Sequence, residues 1–432
     1  MAGMSGRPAA WVRLGGDAAA DTAAIRLAGA ILREGGLVAF PTETVYGLGA
    51  DALNPEAVAR VFAAKGRPPD NPLIVHVTGP EQAGPQVVAR WPDAARRLVE
   101  RFWPGPLTLV LPAGPAVPAA VRAGLPTVAV RCPSHPVAQA LIAAADTPVA
   151  APSANRSGRP SPTRADDVWA DLGPHLDMLL DAGPVPVGVE STVVDVTAWP
   201  PRLLRPGGLA VEAIEDALGV RLAPAPALAA DAAAPAPGMK YRHYAPEAPV
   251  VLVEGPEPAV ATLRRWLREG ARVAVIGCRE DLEALLAGAG VAAAVRDPWD
   301  EPAPAGEAVI QTAVARRGRG AAAAQGGSGR RTGGATGSVG AAGGLGEPTT
   351  AAALPQQDRV VALDLGPRRR PEEQARRLFR ALRAADAAGA TRVLALAVPE
   401  VGLGRAVMNR LRKAAAGGEV PGGGDRHGAG GL

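Results

Sequence analysis

Short apolar strands alternating with amphipathic helices predict an α/β protein, and two observations split it into two units. In the first half, some strand-to-strand connections are too short for crossovers, so the sheet there is mixed. From Val250 the pattern restarts as strand, helix, strand, helix, the sign of a smaller doubly wound, Rossmann-like α/β domain.

The elements follow in order. Residues 1–16 read as a flexible tail. Asp21 is placed to cap a helix running to Glu34, closed by Gly35 and Gly36. Residues 37–40 form a short apolar strand. Asn54 followed by Pro55 starts the helix PEAVARVFAAK, which ends at Gly66. Residues 73–77 are a second apolar strand. A helix after Trp91 ends near Trp103. Residues 107–111 and 127–131 read as strands, and the helix HPVAQALIAAA follows. Residues 190–196 and 202–204 read as a closing hairpin, which ends a domain spanning 17–220.

Residues 221–249 form a linker rich in Ala and Pro. It contains PGMKYRHYAP, and rings in a chain with 3% aromatics predict that part of it is ordered. The second domain, 250–416, carries strands VVLVE, RVAVIG, RVVALDL and TRVLALAV between helices. Residues 302–357 interrupt it with low-complexity Ala, Gly, Arg and Ser, and are expected to be disordered, as is the tail 417–432. The arginines of the insertion read either as a solvated charged loop or as an RNA contact.

Composition narrows the class. The chain has 432 residues, 47% hydrophobic and 20% charged, enough for two or three domains with cores of Ala, Val and Leu. A net charge of +4 does not by itself argue for nucleic acid, though it permits an anionic partner. Cys132 and Cys278 are too few for a disulfide framework or a cysteine zinc site. There is no leader pattern and no apolar run of about 18 residues, so the protein is expected to be cytoplasmic, with no membrane partner. Lysine occurs at only three positions, Lys65, Lys240 and Lys413, against an arginine-rich background.

The densest polar cluster lies between Phe40 and Val77. No P-loop pattern is present. Lys65, Gly66 and Arg67 offer a point charge, a close backbone approach and a planar fork, with Asn71 as a neutral donor nearby. The same residues also suit a helix C-cap that answers the macrodipole. Ser153, Asn155, Ser157, Ser161 and Thr163 crowd hydroxyls and amides at a strand end, as a ligand site or an ordinary turn. Ser191 and Arg205 stand beside strands, and His76 lies inside one. No Ser-His-Asp order, HExxH or close carboxylate pair stands out. This set binds and orients anions rather than supplying a covalent nucleophile, which suits nucleotidyl transfer.

In this order, FPTETVYGLGADA, KGRPPDNPLIVHV, PSANRSGRPSPT, VESTVVD, LRPGG, PGMKYRHYAP and GLGRAVMNRLRKAA resemble the threonylcarbamoyl-AMP synthases in their long form, a YrdC-like domain plus a C-terminal domain. The resemblance implies a twisted mixed sheet with a concave basic face. It implies synthesis of threonylcarbamoyl-adenylate from L-threonine, bicarbonate and ATP, with release of pyrophosphate. The product feeds the transferase machinery that modifies tRNA next to the anticodon, and a tRNA contact is compatible with the basic face.

Carried over by motif, Thr44, His76, Arg131, Ser153 and Ser191 are implied on the threonine side. Arg67, Asn71, Thr127, Asn155, Thr163, Arg205 and Tyr244 are implied on the ATP side, with Tyr244 closing over the nucleotide. Lys65 and Arg67 are implied as the catalytic cations, with magnesium held mainly by the ATP phosphates. The alternatives are a YrdC-like RNA-binding or regulatory protein without synthase activity, and the carbamoyltransferase of hydrogenase maturation, whose cysteine zinc modules two cysteines cannot build.

Overall fold

The computed structural model describes residues 9–226, 233–239, 243–300 and 356–416. The insertion expected at 302–357 therefore lies outside the described residues as far as 355, and the tail 417–432 lies outside them altogether. Positions 356 and 357 belong to a short 3-10 helix, Gln356–Arg359.

The first domain is built on an eleven-stranded mixed sheet. Its strands are β1 (Ala10–Arg13), β2 (Val38–Pro41), β3 (Tyr46–Asp51), β4 (Ile74–His76), β5 (Leu107–Pro112), β6 (Thr127–Arg131), β7 (Val149–Ala150), β8 (Met178–Asp181), β9 (Thr192–Asp195), β10 (Arg202–Arg205) and β11 (Ala223–Pro224). They lie in the order β1-β8-β2-β3-β7-β4-β6-β5-β9-β10-β11. Helices cover both faces, which is why the strands read as nearly continuous apolar runs. On one face Phe40, Leu141, Ile142 and Leu180 pack with helices Ala18–Arg33 and Pro136–Ala145. On the other, Leu48, Val58, Val75, Leu109 and Val130 form the larger core.

Two expectations near the N-terminus are corrected. The tail expected over 1–16 carries β1, which pairs in parallel with β8. The first helix is capped by Asp17, not Asp21: Asp17 accepts from the amides of Ala19 and Ala20, while Asp21 sits in the first turn and accepts from Gly15. The alanines after Asp17 favour helix strongly, so the helix begins a turn earlier. Asn54 caps Pro55–Lys65 as expected, and Gly66 closes it in the left-handed region at φ 58°. The closing hairpin is β9 against β10, antiparallel with a register shift between Leu203 and Arg205.

The second domain is a five-stranded all-parallel sheet. Its strands are β12 (Val250–Val253), β13 (Val273–Gly277), β14 (Val295–Arg296), β15 (Val360–Asp364) and β16 (Arg392–Leu396), in the order β12-β16-β13-β15-β14. Helices Pro371–Ala387 and Gly404–Ala415 face the first domain and deliver three buried arginines to its acids. Arg380 meets Asp167 at 3.3 Å, Arg383 meets Asp171 at 2.8 Å and Arg410 meets Glu190 at 2.8 Å. Guanidinium forks with several donors suit such dry interfaces. Among the described residues no helix is long and apolar enough to cross a membrane.

Candidate active site

One row of the first sheet builds the site. His76 at the end of β4 is in register with Arg131 at the end of β6, and Arg131 with Thr108 on β5. Thr108 is in register with Val193 on β9, and Val193 with Arg205 at the end of β10. Polar side chains far apart in sequence thus share one edge. The tight turn between β2 and β3 adds Thr44, held by Thr42, whose hydroxyl donates to the Val45 carbonyl at 2.6 Å. A bridge between Gly47 and Ser153 fixes the segment after β7 beside that turn.

Thr44, Lys65, Arg67, His76, Arg131 and Ser153 line one cavity, together with Asn155, Ser191, Arg205 and Tyr244. Three expected nucleotide contacts do not line it. Thr127 sits at the far end of β6 from Arg131, about 13 Å away at strand spacing, opposite Pro112. Thr163 is fully buried beside the next helix, where its amide faces Asp167. Asn71 is buried behind Arg67: its backbone carbonyl accepts from Arg67 Nε at 3.0 Å, and neither polar atom of its amide side chain has a partner.

Lys65 is not a helix cap. Its Nζ donates to the Ser153 carbonyl at 2.5 Å and to the Asn155 carbonyl, and the side chain is 3% exposed. Burial, then the Arg67 charge, pushes its pKa well below the usual lysine value. Arg67 is pushed down to about 10, chiefly by burial, with Arg205 adding repulsion. Burial also lowers Arg205, whose guanidinium donates to the Ser191 and Pro237 carbonyls. Cations crowded in a dry cleft form a site for an anion.

Arg131, Thr44, His76 and Ser191 line the same cavity. Arg131 donates to the Thr44 hydroxyl at 2.8 Å and pairs with Glu43 at 2.7 Å. Burial pushes the Glu43 carboxyl up, but Arg131 outweighs it and the pKa ends below the usual value. His76 is pushed down to about 3 by burial and then by Arg131, so the imidazole is neutral. The Thr108 and Ser191 hydroxyls share a hydrogen bond of 2.7 Å.

The linker and the second domain complete the wall. Tyr244, with φ 67°, is 5% exposed. Its ring lies 5.3 Å from that of Phe379, and the Arg410 guanidinium stands 5.3 Å from its centroid. A Cβ at Gly238 would fall 2.8 Å from the Tyr244 hydroxyl, so glycine is needed there. Lys413 donates to the Gly238 carbonyl, and burial lowers its pKa to about 8.

Several lining or supporting residues were not among the expected site residues: Glu43, Arg159, Glu190 and His243, with Arg410 and Lys413 from the second domain. Glu43 and Glu190 stood inside the quoted PTET and VEST strings, but a lone acid in a strand turn gives no sign that an arginine from elsewhere will neutralise it.

Residues 30–207 match the family model described as Telomere recombination, and residues 209–416 match that of the threonylcarbamoyl-AMP synthase C-terminal domain. The threonylcarbamoyl-AMP synthase of Pyrococcus abyssi is 43% identical over 397 residues, covering 90% of this chain and 93% of that protein. The chain belongs to the threonylcarbamoyl-AMP synthase family. The synthase of Bacillus subtilis is 48% identical over 258 residues, 59% of this chain and 74% of its own. The crystal structure of P. abyssi Sua5 complexed with L-threonine superposes with a TM-score of 0.71 at 40% identity, covering 95% of this chain and 98% of that one. Membership in this enzyme family favours a synthase over the regulatory RNA-binding alternative.

Proposed function

We propose that this cleft joins L-threonine, bicarbonate and ATP into threonylcarbamoyl-adenylate. The observation that carries the reading is that one cavity gathers the cations Lys65, Arg67 and Arg205 with Thr44, His76, Arg131 and Ser191.

The threonine amine attacks the carbon of bicarbonate, which loses water to give the carbamate. A carbamate oxygen then attacks the α-phosphorus in line, and pyrophosphate leaves. Lys65 and Arg67 offset the charge that builds on the phosphates, and the two substrates are held in attacking distance by a site that does little covalent work itself. Arg131, oriented by Glu43 and Thr44, receives the threonine carboxylate, and the neutral His76 adds no charge beside it. Tyr244 and the linker cover the nucleotide and keep water from a labile carbamate. Thr127, Asn71 and Thr163 take no direct part in this scheme, because they lie off the cavity.

Among the described residues no group of three or more acids, histidines or cysteines is placed to hold a metal. Glu43 and Glu190 are committed to Arg131 and Arg410. Among the described residues no side-chain cluster is built for a protein-held metal; in this reading magnesium would arrive with the ATP phosphates, and no step is routed through it. The product is a substrate for tRNA-modifying machinery, and no membrane enters the scheme.

Carbon-13 bicarbonate tests the route. The label is expected in an adenylate that contains both threonine and the extra carbon. An unlabelled threonyl-adenylate would contradict it.

A further inference from the structure

Lysine is kept at only three positions of this arginine-rich chain, and the scheme above uses one of them, Lys65. A second, Lys413, lies in the last turn of helix Gly404–Ala415. A basic residue there ordinarily answers the free carbonyls of its own helix. Lys413 instead donates to the carbonyl of Gly238 in the linker. Its neighbour Arg412 has an acid, Glu400. Lys413 pairs with none among the described residues: Glu190, which attracts it, is held by Arg410. A half-buried ammonium that gives its hydrogen bond to a distant backbone carbonyl is placed to hold that carbonyl.

The linker at this point is part of the catalytic cavity, which Pro237, Gly238 and Tyr244 all line. Two successive carbonyls of the linker turn each accept from a cation, Pro237 from Arg205 at 3.2 Å and Gly238 from Lys413. The first cation comes from β10 of the first domain, the second from the last helix of the second domain. Gly238 stands in the left-handed region at φ 79°, and its backbone is so close to the Tyr244 hydroxyl that a shift of this turn displaces the ring. Just upstream, the Ala234 amide donates to the Asp70 carbonyl, and Ala236 is fully buried in the cluster with Ile74 and Leu204. The ammonium also stands near the cavity cations: burial, then the charges of Arg67 and Lys413, push His243 down to about 3.

We propose that Lys413 is a positioning residue for the synthesis: by holding the Gly238 carbonyl it sets the linker turn and, through it, the Tyr244 ring against the nucleotide. Lys413 does not line the cavity, so it acts through the linker rather than on the phosphates. The inference rests on the functional reading above, in which Tyr244 covers ATP.

The test measures ATP and L-threonine binding to the full-length protein by isothermal titration. The pyrophosphate assay is run separately, so loss of release with ATP binding intact would count against the synthase reading alone. Lys413→Met keeps the stem and removes the charge. It is expected to weaken ATP binding about tenfold, the scale of one lost charge-assisted hydrogen bond, and to leave L-threonine binding within about twofold of wild type. Lys413→Arg, which keeps a charged donor, should recover most of the loss. Tyr244→Ala should weaken ATP binding too, and adding Lys413→Met to it should weaken it little further, because both act through one turn. Unchanged ATP binding by Lys413→Met would overturn the proposal. Equal losses for both ligands, or a Lys413→Met protein that does not fold, would also overturn it and make Lys413 a strut of the domain interface. Full additivity with Tyr244→Ala would overturn it by making Lys413 an independent contact.

Discussion

Arg410, on the last helix of the second domain, holds Glu190 in the wall of the catalytic cleft at 2.8 Å, and the same guanidinium stands over the ring of Tyr244. Burial raises the Glu190 carboxyl, but Arg410 and then Arg205 outweigh it, so the acid stays ionised. One cation of the second domain thus balances an acid of the first and steadies the linker tyrosine. Arg410→Ala is expected to cost roughly 3–5 kcal/mol, because it strands a buried charge. Chemical denaturation of the full chain checks this. Glu190→Gln in the same background should recover part of the loss.

Glu43 pairs with Arg131, which in the proposed scheme receives the threonine carboxylate. Glu43→Gln keeps the shape and removes the charge that orients the guanidinium. The KM for L-threonine is expected to rise about tenfold or more while the KM for ATP changes little. Equal rises in both would mean that the substitution loosens the whole cleft.

In the proposed scheme Lys65 and Arg67 serve the nucleotide phosphates. Lys65→Ala and Arg67→Ala are each expected to lower kcat/KM for ATP by about a hundredfold or more, the scale of a lost preorganised charge contact. The proteins should stay folded by circular dichroism. Activity that survives both changes would remove the phosphate assignment.

The depressed lysine gives a pH signature. An ATP triphosphate restores the charged form of Lys65, so binding takes up a proton wherever the free lysine is partly neutral. ATP affinity is expected to fall as pH rises through the lowered Lys65 pKa. Isothermal titration in two buffers of different ionisation enthalpy reads the proton uptake directly.

Stability has its own pH window. His76 is held neutral to about 3, against an ordinary value of 6.5. Between these values the unfolded chain binds more protons than the native one, so stability falls as pH drops from 6.5 towards 3. Glu43 and Glu190, both lowered, act in the same direction at acid pH. Melting temperatures across that range should decline, and His76→Asn should flatten part of the slope.

Much of this was legible in the chain. Asn54-Pro55 and Gly66 are local signals, and they placed Lys65 and Arg67 correctly at a helix end. The strands ending at His76 and Arg131 were also readable, since their apolar runs are short and bounded. What the sequence did not show was set by long-range register. Thr127 and Arg131 share one strand, yet only Arg131 reaches the cleft edge. The partners of Glu43 and Glu190 lie 88 and 220 positions away, and no local pattern pairs them. β1 was read as tail because four residues carry too little pattern without β8 beside them. The cap moved from Asp21 to Asp17 because both are good caps and the intervening alanines decide between them.

The central claim is that one cleft brings three substrates together before anything is released. The most direct measurement is pyrophosphate release by the purified full-length protein, with L-threonine and bicarbonate supplied singly and together. Release is expected only when ATP, L-threonine and bicarbonate are all present. Release without threonine, or none with all three, would contradict the account.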